Sequence, residues 1–140
     1  MPNHSIYRRQ AEKNENTAIA AQSGFPDWAV IMCFYAALHW VNDYAYCNNE
    51  MEELKPEFYI DENGNKPSEH GARKKYVRKI ARSKKISSLE SAYKKLFDES
   101  MKARYLQGLE NDNCTAVEHY LEAGVQFCFN YLNQIKKGLS

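Results

Sequence analysis

Apolar residues recur along this chain at the three- and four-residue spacing of amphipathic helices, and no run of convincing length alternates as a strand does. Segment 26–47 is the most apolar, with Trp28, Ile31, Phe34 and Leu38 spread around it. A helix that is apolar on all sides belongs at the centre of a bundle. The pattern therefore predicts a central helix over 26–47 and surrounding helices over 5–22, 69–82, 88–105 and 116–137.

Helix caps and breakers support these boundaries. Cap residues mark three helix starts: Ser68 for the third helix, Ser87 with Glu90 for the fourth, and Thr115 with Glu118 for the fifth. Segment 48–67 holds two prolines and the turn sequence 61–65, which predicts an irregular loop with a short extended piece at 58–60. The predicted fold class is all-α: a compact up-and-down bundle of four to five helices, with that loop between helices 2 and 3, in a single domain over residues 1–140.

The composition is that of an ordinary globular domain, with 140 residues of which 44% are hydrophobic. No apolar run reaches the roughly 18 residues that span a bilayer, and the first residues lack the order of a secretory signal. We therefore expect a cytoplasmic protein with no membrane partner. The four cysteines form no C-x-x-C pair and no cluster with histidine, so reduced thiols are expected, with no metal site and no cofactor.

The net charge of +1 hides two opposed segments. Residues 43–62 contain seven acids and one base, whereas residues 73–85 contain eight bases and no acid. Such a basic helix suits the phosphates of RNA, although Tyr76 is its only aromatic residue for stacking on bases. The alternatives are a solvated face or a surface that meets the acidic segment of another subunit. The predicted phosphate-binding residues are Arg73, Lys74, Lys75, Arg78, Lys79 and Arg82.

Three polar residues follow one another at four-residue steps in the apolar helix: Tyr35, His39 and Asp43. Buried polar groups need hydrogen-bond partners, so the three predict a polar seam between helices. In the functional interpretation, Asp43 holds His39 in one tautomer, ready for proton transfer. In the structural one, His39 is a core histidine that ties helices together.

Ser100 and Arg104 lie one turn apart on the fourth helix, with Tyr105 beside them, and we group all three with the polar seam. A guanidinium stays charged, so Arg104 needs an anion or water as its partner. It either grips a phosphate through its planar fork or pairs with Asp43 or Glu99.

His70 and Arg73 are three residues apart at the start of the third helix and can face the same way. A cation and an imidazole at a helix N-terminus form a plausible phosphate site, although polar residues are also common in exposed first turns.

The chain has no Gly-rich phosphate loop, no G-x-S-x-G and no H-E-x-x-H. Glu-x-x-His pairs for a di-iron bundle are likewise unsupported.

Five stretches carry a family resemblance: Asp27-Trp28-Ala29-Val30, Phe34-Tyr35-Ala36-Ala37-Leu38-His39, Ser68-Glu69-His70-Gly71-Ala72-Arg73, Tyr93-Lys94-Lys95-Leu96 and Ser100-Met101-Lys102-Ala103-Arg104-Tyr105. Over roughly 5–136 the chain resembles a HEPN domain, a compact helical family associated with RNA and nucleotides. The resemblance implies a bundle that often forms a homodimer. Some relatives are metal-independent ribonucleases of toxin–antitoxin, anti-phage and CRISPR-linked systems, and others are non-cleaving nucleotide-binding or partner modules.

The nucleases of that family use an Arg followed four to six residues later by a His. Here the seven residues after Arg104 contain no His, and no other arginine has one at that distance. Either His39, His70, Arg73 and Arg104 act in place of that motif, or the domain does not cut RNA.

We therefore predict a HEPN-like module that binds RNA or nucleotide phosphate, in bacterial defence or a toxin–antitoxin system. One alternative is a metal-independent endoribonuclease with His39, His70 and Arg104 as catalytic residues. The other is a non-catalytic subunit of a larger complex, with a nucleotidyltransferase or an antitoxin as its partner.

Overall fold

The computed structural model describes residues 5–140, and within them it contains six α-helices and no β-strand. The all-α bundle predicted from the sequence is confirmed. The helices are α1 (Ile6–Ala21), α2 (Pro26–Cys47), α3 (Glu69–Lys84), α4 (Ser87–Tyr105), α5 (Ala116–Ala123) and α6 (Gln126–Gly138).

Helix α2 lies at the centre of the bundle, as its apolar surface predicts, and packs against α1, α4, α5 and α6. Ala11 and Ala18 on α1 are fully buried, and their small side chains let α1 approach α2 closely. The core between α2, α4 and α6 includes Phe34, Leu96 and Leu132, each no more than 1% exposed. Burying a side chain of this size stabilises the fold by about 1.5–3 kcal/mol.

The predicted fifth helix is wrong in one respect, because it is two helices separated at Gly124. The capping box of Thr115 with Glu118 starts α5 as predicted, but α5 ends after eight residues. Gly124 has φ +80° and ψ 171°, a conformation outside any helix that only glycine adopts readily. The turn redirects the chain, so that Val125 and Cys128 are both buried.

The start of α4 also differs from the prediction. Ser68 caps α3 as expected, accepting a hydrogen bond from the Gly71 amide at 3.0 Å. Ser87 makes no such cap: α4 begins at Ser87 itself, and Ile86 occupies the cap position without a side-chain hydrogen bond. Ile86 packs against the core. Its apolar contact, together with the left-handed turn at Lys85 (φ +60°), therefore sets the helix start.

The irregular segment between α2 and α3 contains two short 3₁₀ helices, Met51–Leu54 and Pro56–Tyr59. The extended piece predicted at 58–60 is therefore wrong. Helix α3 holds this segment in place: buried Tyr76 donates to a Glu50 carboxylate oxygen at 2.8 Å, and Lys79 forms ion pairs with Glu50 at 2.9 Å and Glu53 at 2.5 Å. The acidic and basic segments thus neutralise each other partly within one chain.

No helix within residues 5–140 has both the length and the apolar character needed to cross a bilayer.

The four cysteines at positions 33, 47, 114 and 128 are free thiols. Burial raises the pKa of the Cys33 thiol to about 12, so this side chain behaves as a small apolar group.

The backbone at Gly124 gives a test of the α5–α6 turn. Replacing Gly124 by Ala adds a Cβ in open space but at φ +80°, so we expect the free energy of unfolding to fall by about 1–3 kcal/mol. Gly24→Ala is the matched control, because its Cβ also meets no atom within 4 Å and its φ is not positive. Urea unfolding followed by circular dichroism measures both. Equal stability of the two variants would contradict the turn described here.

Candidate functional site

Side chains from α2, α3 and α4 meet around the N-terminal turns of α3. His70 lies in the first turn of α3, with its ring centroid 5.9 Å from that of Phe34 on α2 and 5.4 Å from that of Phe97 on α4. Its Nδ1 atom is buried and has no hydrogen-bond partner within residues 5–140. The imidazole is therefore held between two aromatic rings with one nitrogen unused.

Asn42 connects His39 to α3. Its Oδ1 accepts a hydrogen bond from Arg73 Nε at 3.2 Å, and its Nδ2 lies 3.5 Å from His39 Nδ1. Because the arginine donor occupies Oδ1, the amide NH₂ faces the imidazole, and Nδ1 of His39 is the acceptor. This arrangement places the proton of the neutral ring on Nε2.

The predicted role of Asp43 is wrong. Asp43 accepts a hydrogen bond from Ser5 Oγ at 2.5 Å and a longer one from Cys47 Sγ at 3.7 Å, so it joins α2 to the start of α1. The four-residue step places Asp43 only about 40° around the helix from His39, but its carboxylate is engaged by Ser5 at the start of α1. Asn42 is therefore the polar neighbour of His39 in the seam, where the four-residue spacing predicted Asp43.

Arg104 is the contribution of α4 to the cluster. Its Nη1 donates to the Tyr35 hydroxyl at 2.6 Å, and its guanidinium carbon lies 4.9 Å from the ring centroid of Tyr105. Neither predicted carboxylate pairs with it, because Asp43 faces α1 and Glu99 is bonded by Lys102 and Tyr120. Arg104 is exposed, so its remaining N–H groups face solvent.

Ser100 does not belong to this cluster, contrary to the prediction. It is 2% exposed, and its Oγ donates to the carbonyl of Phe97 within α4 at 2.7 Å. The four-residue step between Ser100 and Arg104 therefore separates a buried residue from an exposed one at the helix end. Tyr105, by contrast, is 53% exposed beside Arg104.

The six predicted cations of α3 divide into three pairs. Arg78 forms an ion pair with Glu90 at 2.8 Å and Lys79 pairs with two glutamates, so their charges are largely offset. Lys75 lies near the Tyr59 ring at 5.9 Å, and Arg82 is exposed. The remaining two cations, Arg73 and Lys74, are the ones that reach the histidines.

Lys74 and Arg73 shape the electrostatics of the cluster. Lys74 Nζ lies 3.6 Å from the ring centroid of Phe97, next to His70, a cation–π contact that contributes about 0.5–2 kcal/mol. Burial, followed by the charges of Arg73, Lys74 and Arg104, lowers the pKa of His70. Burial and then the charge of Arg73 lower the pKa of His39. Both imidazoles are therefore neutral near pH 7.

Arg73, Lys74 and Arg104 have no carboxylate within salt-bridge distance among residues 5–140. Two carboxylates act on the cluster without forming an ion pair: Asp98 opposes the lowering of the Lys74 pKa, and Glu69 opposes the lowering of the His70 pKa. The cluster is therefore cationic, partly buried and bounded by aromatic rings. Such an environment favours an anion with several acceptor oxygens, such as a phosphate or a carboxylate, whose geometry matches the fork of a guanidinium.

Asn42 and Tyr93 are site residues that the sequence did not single out. Tyr93 is a buried residue of α4 whose hydroxyl has no partner within the described part of the chain. Burial raises the pKa of this hydroxyl, and the nearby charge of Arg73 opposes the rise. The only available signals were a tyrosine on the apolar side of α4 and an asparagine three residues after His39.

The structure thus brings His39, His70, Arg73 and Arg104 into one neighbourhood, with Tyr35, Lys74 and Tyr105 beside them. It places Asp43, Ser100 and Lys79 elsewhere. Within residues 5–140, no group of three or more His, Cys, Asp or Glu side chains is arranged to hold a metal ion.

The lowered histidine pKa values can be measured by NMR. We expect His39 and His70 to titrate below 6.5, and Arg73→Met to raise both pKa values because it removes a positive charge that acts on both rings. Arg82→Met is the matched control, since Arg82 is on the same helix but acts on neither ring. Titration of both histidines at or above 6.5 would contradict the described cluster.

Comparison of this chain with protein-family models, with curated proteins and with solved structures found no match.

Proposed function

We propose that this domain binds RNA or nucleotide phosphate at the cluster of His70, Arg73, Lys74 and Arg104. One observation carries the proposal: three cations converge on a half-buried imidazole, and none of them has an ion-pair partner among residues 5–140. Elsewhere on α3 the chain does supply glutamates, to Arg78 and Lys79. The cations around His70 are therefore available to an anion.

Phosphate suits the donors that this cluster offers. Arg73 uses Nε for Asn42, and Arg104 uses one Nη for Tyr35, so each keeps further N–H groups for oxygen atoms. The amides in the first turn of α3 add the partial positive charge of a helix N-terminus. A phosphate bound here would also relieve the mutual repulsion of the three cations, the same repulsion that disfavours protonation of His70.

The resemblance to HEPN domains supports the same proposal. From the resemblance come the further expectations of a homodimer and of a role in bacterial defence with an antitoxin or a nucleotidyltransferase as partner, whereas the expected cytoplasmic location comes from the sequence pattern. The neutral histidines and the unpaired arginines are consistent with an RNA-associated member of that family.

A second candidate function is a metal-independent ribonuclease. The observation that favours it is that two histidines near Arg73 both have lowered pKa values, so that either can accept a proton at neutral pH. The Arg-x4-6-His motif is absent from the sequence, so these residues would have to act in its place. In this proposal one imidazole takes the proton of the 2′-hydroxyl as its oxygen attacks the phosphorus. The second imidazole, protonated, gives a proton to the 5′-oxygen as its bond to phosphorus breaks, and Arg104 stabilises the phosphate.

Binding to a short fluorescent RNA at low salt, with EDTA present, tests the first proposal. We expect Arg104→Gln to weaken binding about tenfold, because a charged hydrogen bond contributes about 1.5 kcal/mol or more. Lys79→Gln makes the same change of charge at a residue that is already paired with Glu50 and Glu53, and we expect less than a threefold effect.

The affinity should also fall steeply with salt, and charge reversal of Arg73, Lys74, Lys75 and Arg78 to Glu should abolish it. Equal losses in Arg104→Gln and Lys79→Gln would show that net charge alone matters. Absence of binding by the wild-type protein at low salt would remove the proposal.

Incubation of the pure protein with mixed RNA in EDTA tests the second proposal. We expect cleavage that His39→Ala or His70→Ala abolishes. The rate should rise as the pH falls from 8 towards 6, because general acid catalysis needs one imidazole protonated and both pKa values lie below 6.5. RNA that stays intact after long incubation would exclude this activity and would leave the binding proposal standing.

A further inference from the structure

A crevice between α3 and α4 begins where the His70 cluster ends. It has a volume of about 250 Å³ and is lined by Lys74, Lys75, Val77, Arg78, Glu90, Tyr93 and Lys94. Four of these seven residues are cations, and the single carboxylate, Glu90, is already paired with Arg78 at 2.8 Å. The crevice therefore carries excess positive charge.

Lys74 belongs to both the His70 cluster and the crevice. It lines the crevice, and its charge lowers the pKa of His70 in the cluster. Burial lowers the pKa of Lys74 itself, and Lys94 on the opposite wall acts in the same direction, while Asp98 opposes them. Lys74 therefore carries positive charge at the junction of the cluster and the crevice, between Phe97 on one side and Lys94 on the other.

The floor of the crevice offers little to a nucleobase. Val77 and Tyr93 are the apolar members of the lining, and they are 1% and 2% exposed. A flat ring would find no exposed aromatic face to stack on inside, whereas Lys75 and Lys94 are exposed residues. The crevice thus fits a phosphate with its sugar better than a base.

We infer that the ligand of this domain is an RNA strand, whose backbone runs from the His70 cluster into the crevice between α3 and α4. This inference rests on the proposed phosphate binding and extends it from one phosphate to consecutive ones. A mononucleotide fills only the cluster. Contacts in the crevice go to the backbone, so they add affinity and salt dependence without selecting a base sequence.

Neighbouring lysines on α4 provide a matched pair of variants. Lys94 lines the crevice, whereas Lys95 lies outside it, with its Nζ 5.7 Å from the ring centroid of Tyr131 on α6. Both side chains are exposed, so Lys94→Glu and Lys95→Glu should fold equally well and change the net charge equally. Circular dichroism and thermal unfolding of both variants check this before binding is compared.

The experiment measures the affinities of AMP, of uridine oligonucleotides of two, four and eight residues, and of an eight-residue polyglutamate peptide, in EDTA at low salt. We expect the affinity of the wild-type protein to rise at least tenfold from AMP to the four-residue oligonucleotide. Lys94→Glu should remove most of that gain, leave AMP binding within twofold, and lower the salt slope by about 0.7 for each lost phosphate contact. Lys95→Glu should weaken oligonucleotide binding less than threefold.

The possible failures are distinguishable. If Lys94→Glu and Lys95→Glu behave alike while Arg104→Gln still weakens binding about tenfold, the crevice is not a subsite and only the proposed function survives. If polyglutamate competes as well as the eight-residue oligonucleotide, the surface recognises an acidic protein segment and the inference is overturned. If neither AMP nor any oligonucleotide binds, the proposed function fails and the inference fails with it.

Discussion

The arrangement of the candidate site depends on the packing of one aromatic ring, that of Phe34. This side chain is 1% exposed at the centre of α2, and its ring centroid lies 5.5–5.9 Å from those of His70, Tyr93 and Phe97. Each such pair contributes about 0.5–1.5 kcal/mol beyond the burial of area. Elsewhere α3 packs on α4 and the 3₁₀ segments. The ring therefore fixes the start of α3 against α2 and, with it, the positions of Arg73 and Lys74.

Around that ring the fold tolerates an arrangement that stability alone would not favour. The Nδ1 atom of His70 is buried without a hydrogen-bond partner within residues 5–140, at a cost of about 1–3 kcal/mol, and the buried Tyr93 hydroxyl has only the Arg73 guanidinium near it. The guanidinium of Arg73 lies close to both groups and has no carboxylate partner there. Local rules are usually broken where a protein binds something. Arg8 Nε, Asp27 Oδ1 and Trp40 Nε1 are also buried without partners within residues 5–140, so it is the combination of such groups with unpaired cations that distinguishes this cluster from the ordinary surface charges of α3.

The helices and their order could be predicted because apolar spacing and caps are local signals. Where a tertiary contact overrides a local signal, the outcome could not be predicted from the sequence. Gly124 fits either the interior or the end of a helix, and the need to bury residues on both sides decides between them. Ile86 replaces the expected serine cap because its contact with the core outweighs one hydrogen bond. In the site, the sequence favoured Asp43 as the partner of His39 because a carboxylate is a stronger acceptor than an amide. Ser5 binds Asp43 instead and leaves Asn42 to face His39, and spacing along α2 cannot reveal the position of Ser5.

The pairing of the acidic 3₁₀ segment with one flank of α3 also affects how a charged molecule reaches the protein. Glu50 and Glu53 neutralise Lys79 on that flank, while Lys94 strengthens the positive charge on the flank that faces α4. The domain is almost neutral overall, so a distant polyanion feels little net attraction. As it comes within about one Debye length, roughly 8–10 Å, it is repelled from one flank of α3 and attracted to the other. The fold thereby selects the direction of approach before any contact forms, and electrostatic steering accelerates the encounters that arrive already aligned.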